Sequence, residues 1–227
     1  SIQPIHDIAA LLEDRPTVSF HVDAVQALAK VATEVYLPER VDFATFSSHK
    51  FHGLRGVGFV YIKEGKKITP LLTGGGQEKE MRSTTENVAG IAATAKALRL
   101  AMENQEAFAN KTQQMKEVIR KELANYPDVT IFSGEDHFAP HILTFGIKGV
   151  RGEVVVHAFE EFDIYISTTS ACSSKAGKPA GTLIAMGVDK SIAQTAVRLS
   201  LDLENDMSQV EQFLTKFKLI YEQTRKV

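Results

Sequence analysis

Val41-Asp42-Phe43-Ala44-Thr45-Phe46 runs directly into Ser47-Ser48-His49-Lys50. After the Gly-rich turn Gly53 to Gly58 the chain continues as Val57-Gly58-Phe59-Val60-Tyr61-Ile62. The first and last of these segments read as buried β-strands, rich in aromatic and β-branched residues. Upstream, Thr17-Val18-Ser19-Phe20-His21-Val22-Asp23 is another β-type run, and it ends on an acidic residue. Before it, Pro4 opens a helical pattern with Ile5, Ile8, Leu11 and Leu12 on one face. A helix followed by such strands predicts an α/β fold. Polar residues cluster just past the strand C-termini, which is where ligands sit in open α/β sheets.

Downstream, Thr73-Gly74-Gly75-Gly76-Gln77 reads as a loop, and Thr85-Glu86 as the start of a long helix carrying Ile91, Ala95, Leu98 and Met102. A second amphipathic helix carries Phe108, Met115, Val118, Ile119 and Leu123. The expected domain boundary is near residue 105, giving domains 1–105 and 106–227. Beyond it, strands are expected at 129–132, 141–146, 163–168 and 195–201, and helices at 152–162, 181–187 and 206–225. In the last helix Val210, Phe213, Leu214, Phe217, Ile220 and Tyr221 form a stripe that predicts core packing.

Composition narrows the function classes. The 227 residues are 44% hydrophobic and 24% charged, ordinary for a globular protein, with a net charge of −2. Without an excess of Lys and Arg, direct nucleic-acid binding is not expected. No apolar run approaches the roughly 20 residues of a membrane helix, and no signal peptide is evident. The one Cys cannot form an internal disulfide and points to a reducing, cytoplasmic setting. The chain lacks an initiator Met and begins Ser1-Ile2-Gln3-Pro4, so it is expected to be truncated or processed.

A few residues stand out chemically. Lys50 follows a strand, two hydroxyls and an imidazole. Lysines in general are solvated charges, but hydroxyls and amides at a strand end suit a phosphate, and an amine beside a phosphate suits a carbonyl cofactor. Asp23 ends a strand; it is equally a carboxylate for a pyridine nitrogen and a helix cap for the segment after it. Gln26 lies three residues on, where it can reach the same ligand or remain a surface amide. Cys172 sits in a polar, small-residue loop, Ser167 to Pro179, with Lys175 and Lys178 near enough in sequence to favour a thiolate. That loop, 169–180, has little apolar surface to anchor it and is expected to be mobile. Arg198, within Ala196 to Leu201, is either a strand-edge residue or a bidentate clamp for a carboxylate. His21, Asp23, His49, His52 and Cys172 match no zinc spacing, and no metal site is expected.

Taken together, the motifs resemble one family. His21-Val22-Asp23-Ala24-Val25-Gln26, Ser47-Ser48-His49-Lys50 and Gly53-Leu54-Arg55-Gly56-Val57-Gly58 resemble its successive signatures. So do Gly74-Gly75-Gly76-Gln77-Glu78, Met81-Arg82-Ser83-Thr84-Thr85, Thr168 to Ser173, and Val197-Arg198-Leu199-Ser200. These are similar to cysteine desulfurases of the NifS/IscS type, within the class V aminotransferase-like enzymes that use pyridoxal 5′-phosphate (PLP). Thr84 stands where the family has Gly.

The resemblance implies part of an aspartate aminotransferase-like large domain followed by an α+β small domain. It implies that Lys50 carries PLP covalently, Asp23 pairs with the pyridine nitrogen and Gln26 meets the ring hydroxyl. Ser47, Ser48 and His49 would hold the phosphate, with Thr85 reaching it from the partner of a homodimer. Arg198 would bind the carboxylate of L-cysteine. Cys172 would take the sulfur as a persulfide, releasing L-alanine, and pass it to an acceptor such as an iron–sulfur scaffold or a tRNA-thiolating enzyme. Alternatives are a selenocysteine lyase, another class V transferase, or a cofactor-free proteolytic piece. The family carries further strands and cofactor contacts ahead of the segment matched here. The piece alone is therefore expected to be inactive, to bind PLP weakly and to expose an apolar sheet edge.

Overall fold

The structure, a computed structural model, describes residues 1–168 and 181–224. The chain divides into two compact units, Gln3–Glu106 and Ala107–Val227, the second also taking in Ser1–Ile2.

The first unit contains helix α1 (Ile5–Leu11), strand β1 (His21–Asp23), the short helix α2 (Thr33–Tyr36) and strand β2 (Phe43–Ser47). After these come a 3₁₀ turn (Ser48–Phe51), strand β3 (Gly58–Ile62), a second 3₁₀ turn (Gln77–Glu80) and helix α3 (Val88–Glu103). β1 runs parallel to β2, with Val22 beside Ala44 and Asp23 beside Thr45, and β3 runs antiparallel to β2, with Ser47 opposite Gly58. Strand alternation then sorts the side chains. Val22, Ala44 and Phe46 face a core shared with Phe20, Tyr36, Val41 and Phe51, against which Ala97, Leu98 and Ala101 of α3 pack. His21, Asp23, Thr45 and Ser47 fall on the other face. β3 ends the strand order, and its Phe59, Val60 and Tyr61 remain exposed.

Two boundaries differ from expectation. The β-type run from Thr17 pairs only from His21 on. Ahead of it Val18 N–H closes a turn onto Arg15 O, and Phe20 N–H donates to the Asp42 carboxylate at 2.8 Å. The long helix starts at Val88 rather than Thr85, because Asn87 Oδ1 accepts the Gly90 N–H at 3.0 Å and caps it there.

Asp42 ties this unit together. Its buried carboxylate meets Arg40 Nη1 at 2.9 Å and Lys66 Nζ at 3.0 Å as well as the Phe20 amide. Burial alone would raise the Asp42 carboxyl. The Phe20 amide, Lys66 and Arg40 together outweigh that and hold it below the ordinary carboxylate value. The folded value is the depressed one, so the stabilisation is complete above the unfolded value of about 3.9 and is lost as pH falls through the folded value. Asp42→Asn is expected to flatten that part of the acid limb of stability. It should also cost about 2–3 kcal/mol near neutral pH by leaving two cations without their carboxylate. Urea unfolding followed across acid pH checks both effects. An acid limb identical to wild type would remove Asp42 from the account.

The second unit takes α4 (Gln105–Leu123) from Ala107 on. It continues with β4 (Val129–Ile131), β5 (Ile142–Ile147), α5 (Gly152–Glu160), β6 (Ser167–Thr168), α6 (Gly181–Ala185), α7 (Lys190–Ala193), β7 (Ala196–Ser200) and α8 (Met207–Thr224). The sheet order is β4-β5-β7-β6, with every neighbouring pair antiparallel. Leu143, Phe145, Val197 and Leu199, on one face of β5 and β7, pack against Met115 and Ile119 of α4 and Phe213 and Phe217 of α8. Phe159 stacks on Phe213 with ring centroids 5.0 Å apart. The α8 stripe is core as its spacing predicts: Val210, Phe213, Phe217, Ile220 and Tyr221 are buried and Leu214 is partly buried.

The strand expected over 163–168 pairs only at Ser167–Thr168 among the described residues. Asp163 takes a left-handed conformation, φ 57°, and Ile164 N–H returns to Phe159 O at 3.1 Å. Those residues finish α5 instead of joining the sheet. Among the described residues, no helix is long and apolar enough to cross a membrane.

Candidate functional site

In the first unit the parallel pair β1–β2 brings two strand C-termini together, with Asp23 ending one and Ser47 the other. Asp23 Oδ1 accepts the Val25 N–H at 3.1 Å, which orients the carboxylate at the head of the turn that follows. Its Oδ2 has no hydrogen-bond partner among the described residues. Asp23 thus caps a turn here, not a helix, through one of its two oxygens. Gln26, the next residue of that turn after Val25, is exposed. Beside Asp23, His21 Nε2 lies 3.3 Å from Thr45 Oγ1. Thr45 is not marked by any motif. Its position two residues before Ser47 on an alternating strand is the signal that places both on one face.

The 3₁₀ turn carries Ser48, His49, Lys50 and Phe51, with Ser48 and Phe51 buried, His49 exposed and Lys50 half-buried. Lys50 Nζ makes no hydrogen bond or ion pair among the described residues, and neither does the Ser47 hydroxyl. The turn closes through His52, left-handed at φ 66°, whose N–H donates to Ser48 O. A charged or reactive amine, a hydroxyl and an imidazole are thus held within one short, fixed segment.

Ser48 differs from its expected place among the phosphate contacts. It is fully buried, its N–H donates to Val57 O at 3.0 Å, and its Oγ is 2.9 Å from Thr94 Oγ1. Thr94 Oγ1 donates its own proton to Gly90 O at 2.7 Å, so it accepts from Ser48. Both Ser48 donors are therefore committed inside the protein, and the side chain has none to offer an anion. Thr94 is a second residue that no motif marks. Gly90 and Thr94, four apart on one face of α3, are the small-residue signal of a close approach.

Thr85 is exposed in the irregular segment just before α3. That segment follows a run of three left-handed residues, Glu78, Lys79 and Glu80, and Ser83 Oγ anchors it by donating to Gly75 O at 2.7 Å.

In the second unit Arg198 lies on β7 opposite Thr144 of β5 and Ser167 of β6, on the face away from Val197 and Leu199. Its Nε is buried and has no hydrogen-bond partner among the described residues. A buried guanidinium nitrogen without a partner among the described residues suits an anionic group from a ligand. Cys172, with the 169–180 loop expected to be mobile, lies outside the described residues. No group of three or more His, Cys, Asp or Glu among the described residues is arranged to hold a metal ion.

Comparison with known proteins gives a consistent set of similarities. A family model described as aminotransferase class-V matches residues 1–213. A NifS/IcsS protein homolog of Lactobacillus delbrueckii subsp. bulgaricus is 49% identical over 228 residues, which is 100% of this chain and 59% of that protein. A cysteine desulfurase IscS of Clostridium botulinum is 35% identical over 230 residues, again 100% of this chain and 57% of its own length. A solved NifS-like protein superposes with a TM-score of 0.86 at 34% identity, over 100% of this chain and 58% of that one. A NifS-like protein from Rickettsia africae gives 0.84 at 30%, over 97% and 58%. The chain therefore spans somewhat under three-fifths of the length of these relatives. The α/β fold expected from the strand pattern is the one these solved structures share.

Proposed function

Because the chain belongs to the class-V aminotransferase family, we propose that it is part of a PLP-dependent cysteine desulfurase whose cofactor lysine is Lys50. The observation that carries this reading is the Ser47–Lys50 turn. It stands at the C-termini of two parallel strands with its amine unpaired among the described residues and the Asp23 carboxylate ending the neighbouring strand.

The donor set fits PLP. The Ser47 hydroxyl and the His49 imidazole are the groups for the phosphate, and a homodimer partner would add its copy of Thr85. The Asp23 oxygen left unpaired among the described residues suits a protonated pyridine nitrogen, and Gln26 the ring hydroxyl. Bound there, PLP would supply the electron sink for bond cleavage beside the substrate amino group. Lys50 holds the cofactor and is placed to move a proton at the substrate α-carbon. Arg198 binds the substrate carboxylate through its fork of donors. The Cys172 thiolate attacks the sulfur of L-cysteine. An S–S bond forms as the Cβ–S bond breaks, the electron pair stays on carbon, and a proton there gives L-alanine. The persulfide passes to an acceptor protein, an iron–sulfur scaffold or a tRNA-thiolating enzyme, in the cytoplasm.

The direct test supplies L-cysteine and PLP to the full-length protein and measures alanine against sulfide released by reductant. Equal yields are expected; a protein that turns over selenocysteine alone, or transaminates without releasing sulfur, overturns the desulfurase reading. Arg198→Lys tests the carboxylate role. Exchanging a planar fork for a point charge should raise KM for L-cysteine by about tenfold to a hundredfold, the loss of one charge-assisted hydrogen bond, with a smaller effect on kcat. An unchanged KM would leave Arg198 without that role.

A further inference from the structure

We infer that the buried Ser48–Thr94 hydroxyl pair is a positioning device for Lys50, pinning the lysine-bearing turn to helix α3. The inference rests on the reading of Lys50 as the cofactor lysine.

The geometry makes the link directional. Ser48 Oγ–H donates to Thr94 Oγ1, and Thr94 Oγ1–H donates to Gly90 O one turn back on the same helix. Ser48 is fully buried and Thr94 nearly so, which leaves neither hydroxyl a water to turn to. The surroundings are tight enough to hold the pair in register. A Cβ on Gly53 would lie 1.9 Å from Ser48 Oγ, and a Cβ on Gly90 would lie 2.8 Å from Val57 Cγ2. Ser48 N–H to Val57 O and Gly53 N–H to Ser48 O close the turn from the other side.

Lys50 is two residues from this anchor, on a short turn, so a displacement of Ser48 moves the lysine with it. α3 in turn begins at the Asn87 cap, two residues after Thr85. One hydroxyl link thereby couples the lysine turn to the helix whose approach carries Thr85, the residue proposed to reach the cofactor of the partner. Neither Ser48 nor Thr94 touches the proposed ligand; both act through Lys50.

The test uses the full-length protein and the rate at which added PLP becomes attached to Lys50, trapped with borohydride and located by mass spectrometry. Thr94→Val removes the acceptor. Ser48→Ala removes the donor while leaving the Thr94–Gly90 bond in place, so it guards against a Thr94→Val protein that merely folds poorly. Both should slow attachment by about tenfold or more, because the amine is displaced from its reacting position. Thr94→Ser, which keeps the oxygen, should attach at the wild-type rate. The double variant should be no slower than the worse single one, as expected when two residues act through one link.

Wild-type attachment rates in a folded Ser48→Ala protein, or effects that multiply in the double variant, overturn the inference while leaving Lys50 as the cofactor lysine. A wild-type protein with no attachment at Lys50 sinks both.

Discussion

Lys50→Ala is expected to abolish reducible attachment of PLP and to lower turnover by at least about a thousandfold, since it removes the side chain proposed as both covalent anchor and proton carrier. The reasoning runs from position. The amine is half-buried on a fixed turn next to an imidazole and three residues after the Ser47 hydroxyl, and neither it nor that hydroxyl has an ion pair or hydrogen bond among the described residues. A surface lysine replaced by alanine would change stability by a few tenths of a kcal/mol and nothing else. The visible absorbance of bound PLP and the alanine yield are the two measurements. A variant with normal absorbance and a normal rate would end the assignment of Lys50.

Cys172→Ser should separate the two halves of the chemistry. PLP should bind as in wild type, because none of the proposed cofactor contacts is altered. Transfer of labelled sulfur from cysteine onto the protein should fall to background. Serine keeps the size and polarity of the side chain, but its hydroxyl is scarcely ionised at neutral pH and its oxygen cannot carry the sulfane sulfur. This is the one Cys in the sequence, so no neighbouring thiol can stand in within it. Label appearing on the serine variant of this segment would show that Cys172 is not the acceptor.

Much of this molecule is legible from residue pattern because its elements obey local rules. The α8 stripe from Val210 to Tyr221 is amphipathic at helical spacing, and it is buried where that spacing puts it. The strands at Val129, Ile142 and Ala196 begin within one residue of where their apolar runs begin. What was not legible depends on single hydrogen bonds. The stretch before His21 has strand composition, yet the Phe20 N–H that a strand would give a neighbour goes to Asp42. Thr85 looks like a helix start, but Asn87 provides the cap. Lys116 stands among polar residues on α4 and is nonetheless buried, its Nζ on the Ala139 carbonyl at 3.0 Å. In the candidate site, Asp23, Ser47, His49 and Lys50 stand at strand ends or in the turn that follows, as the strand pattern places them. Ser48 belongs to the same motif, and only its partner on α3, 46 residues away, reveals that it points inward. A pairing over that separation leaves no mark in local composition.

The close approach at Gly53 also constrains how sequences of this kind can drift. While position 48 is serine and its hydroxyl is held by Thr94, a Cβ at 53 would meet that oxygen at 1.9 Å, so any larger residue there has to push the hydroxyl off Thr94. After Ser48→Ala the oxygen is gone, and a methyl at 53 meets only the Cβ at 3.1 Å and the carbonyl at 3.0 Å, a crowding that a shift of a few tenths of an ångström relieves. The two substitutions are therefore ordered by cost: losing the hydroxyl first and the glycine second avoids the clash, whereas the reverse route passes through an ancestor that has it. A saturation library at position 53, selected for folding with Ser48 intact and again in the Ser48→Ala background, would display that preference as Gly53→Ala enriched in the second background relative to the first.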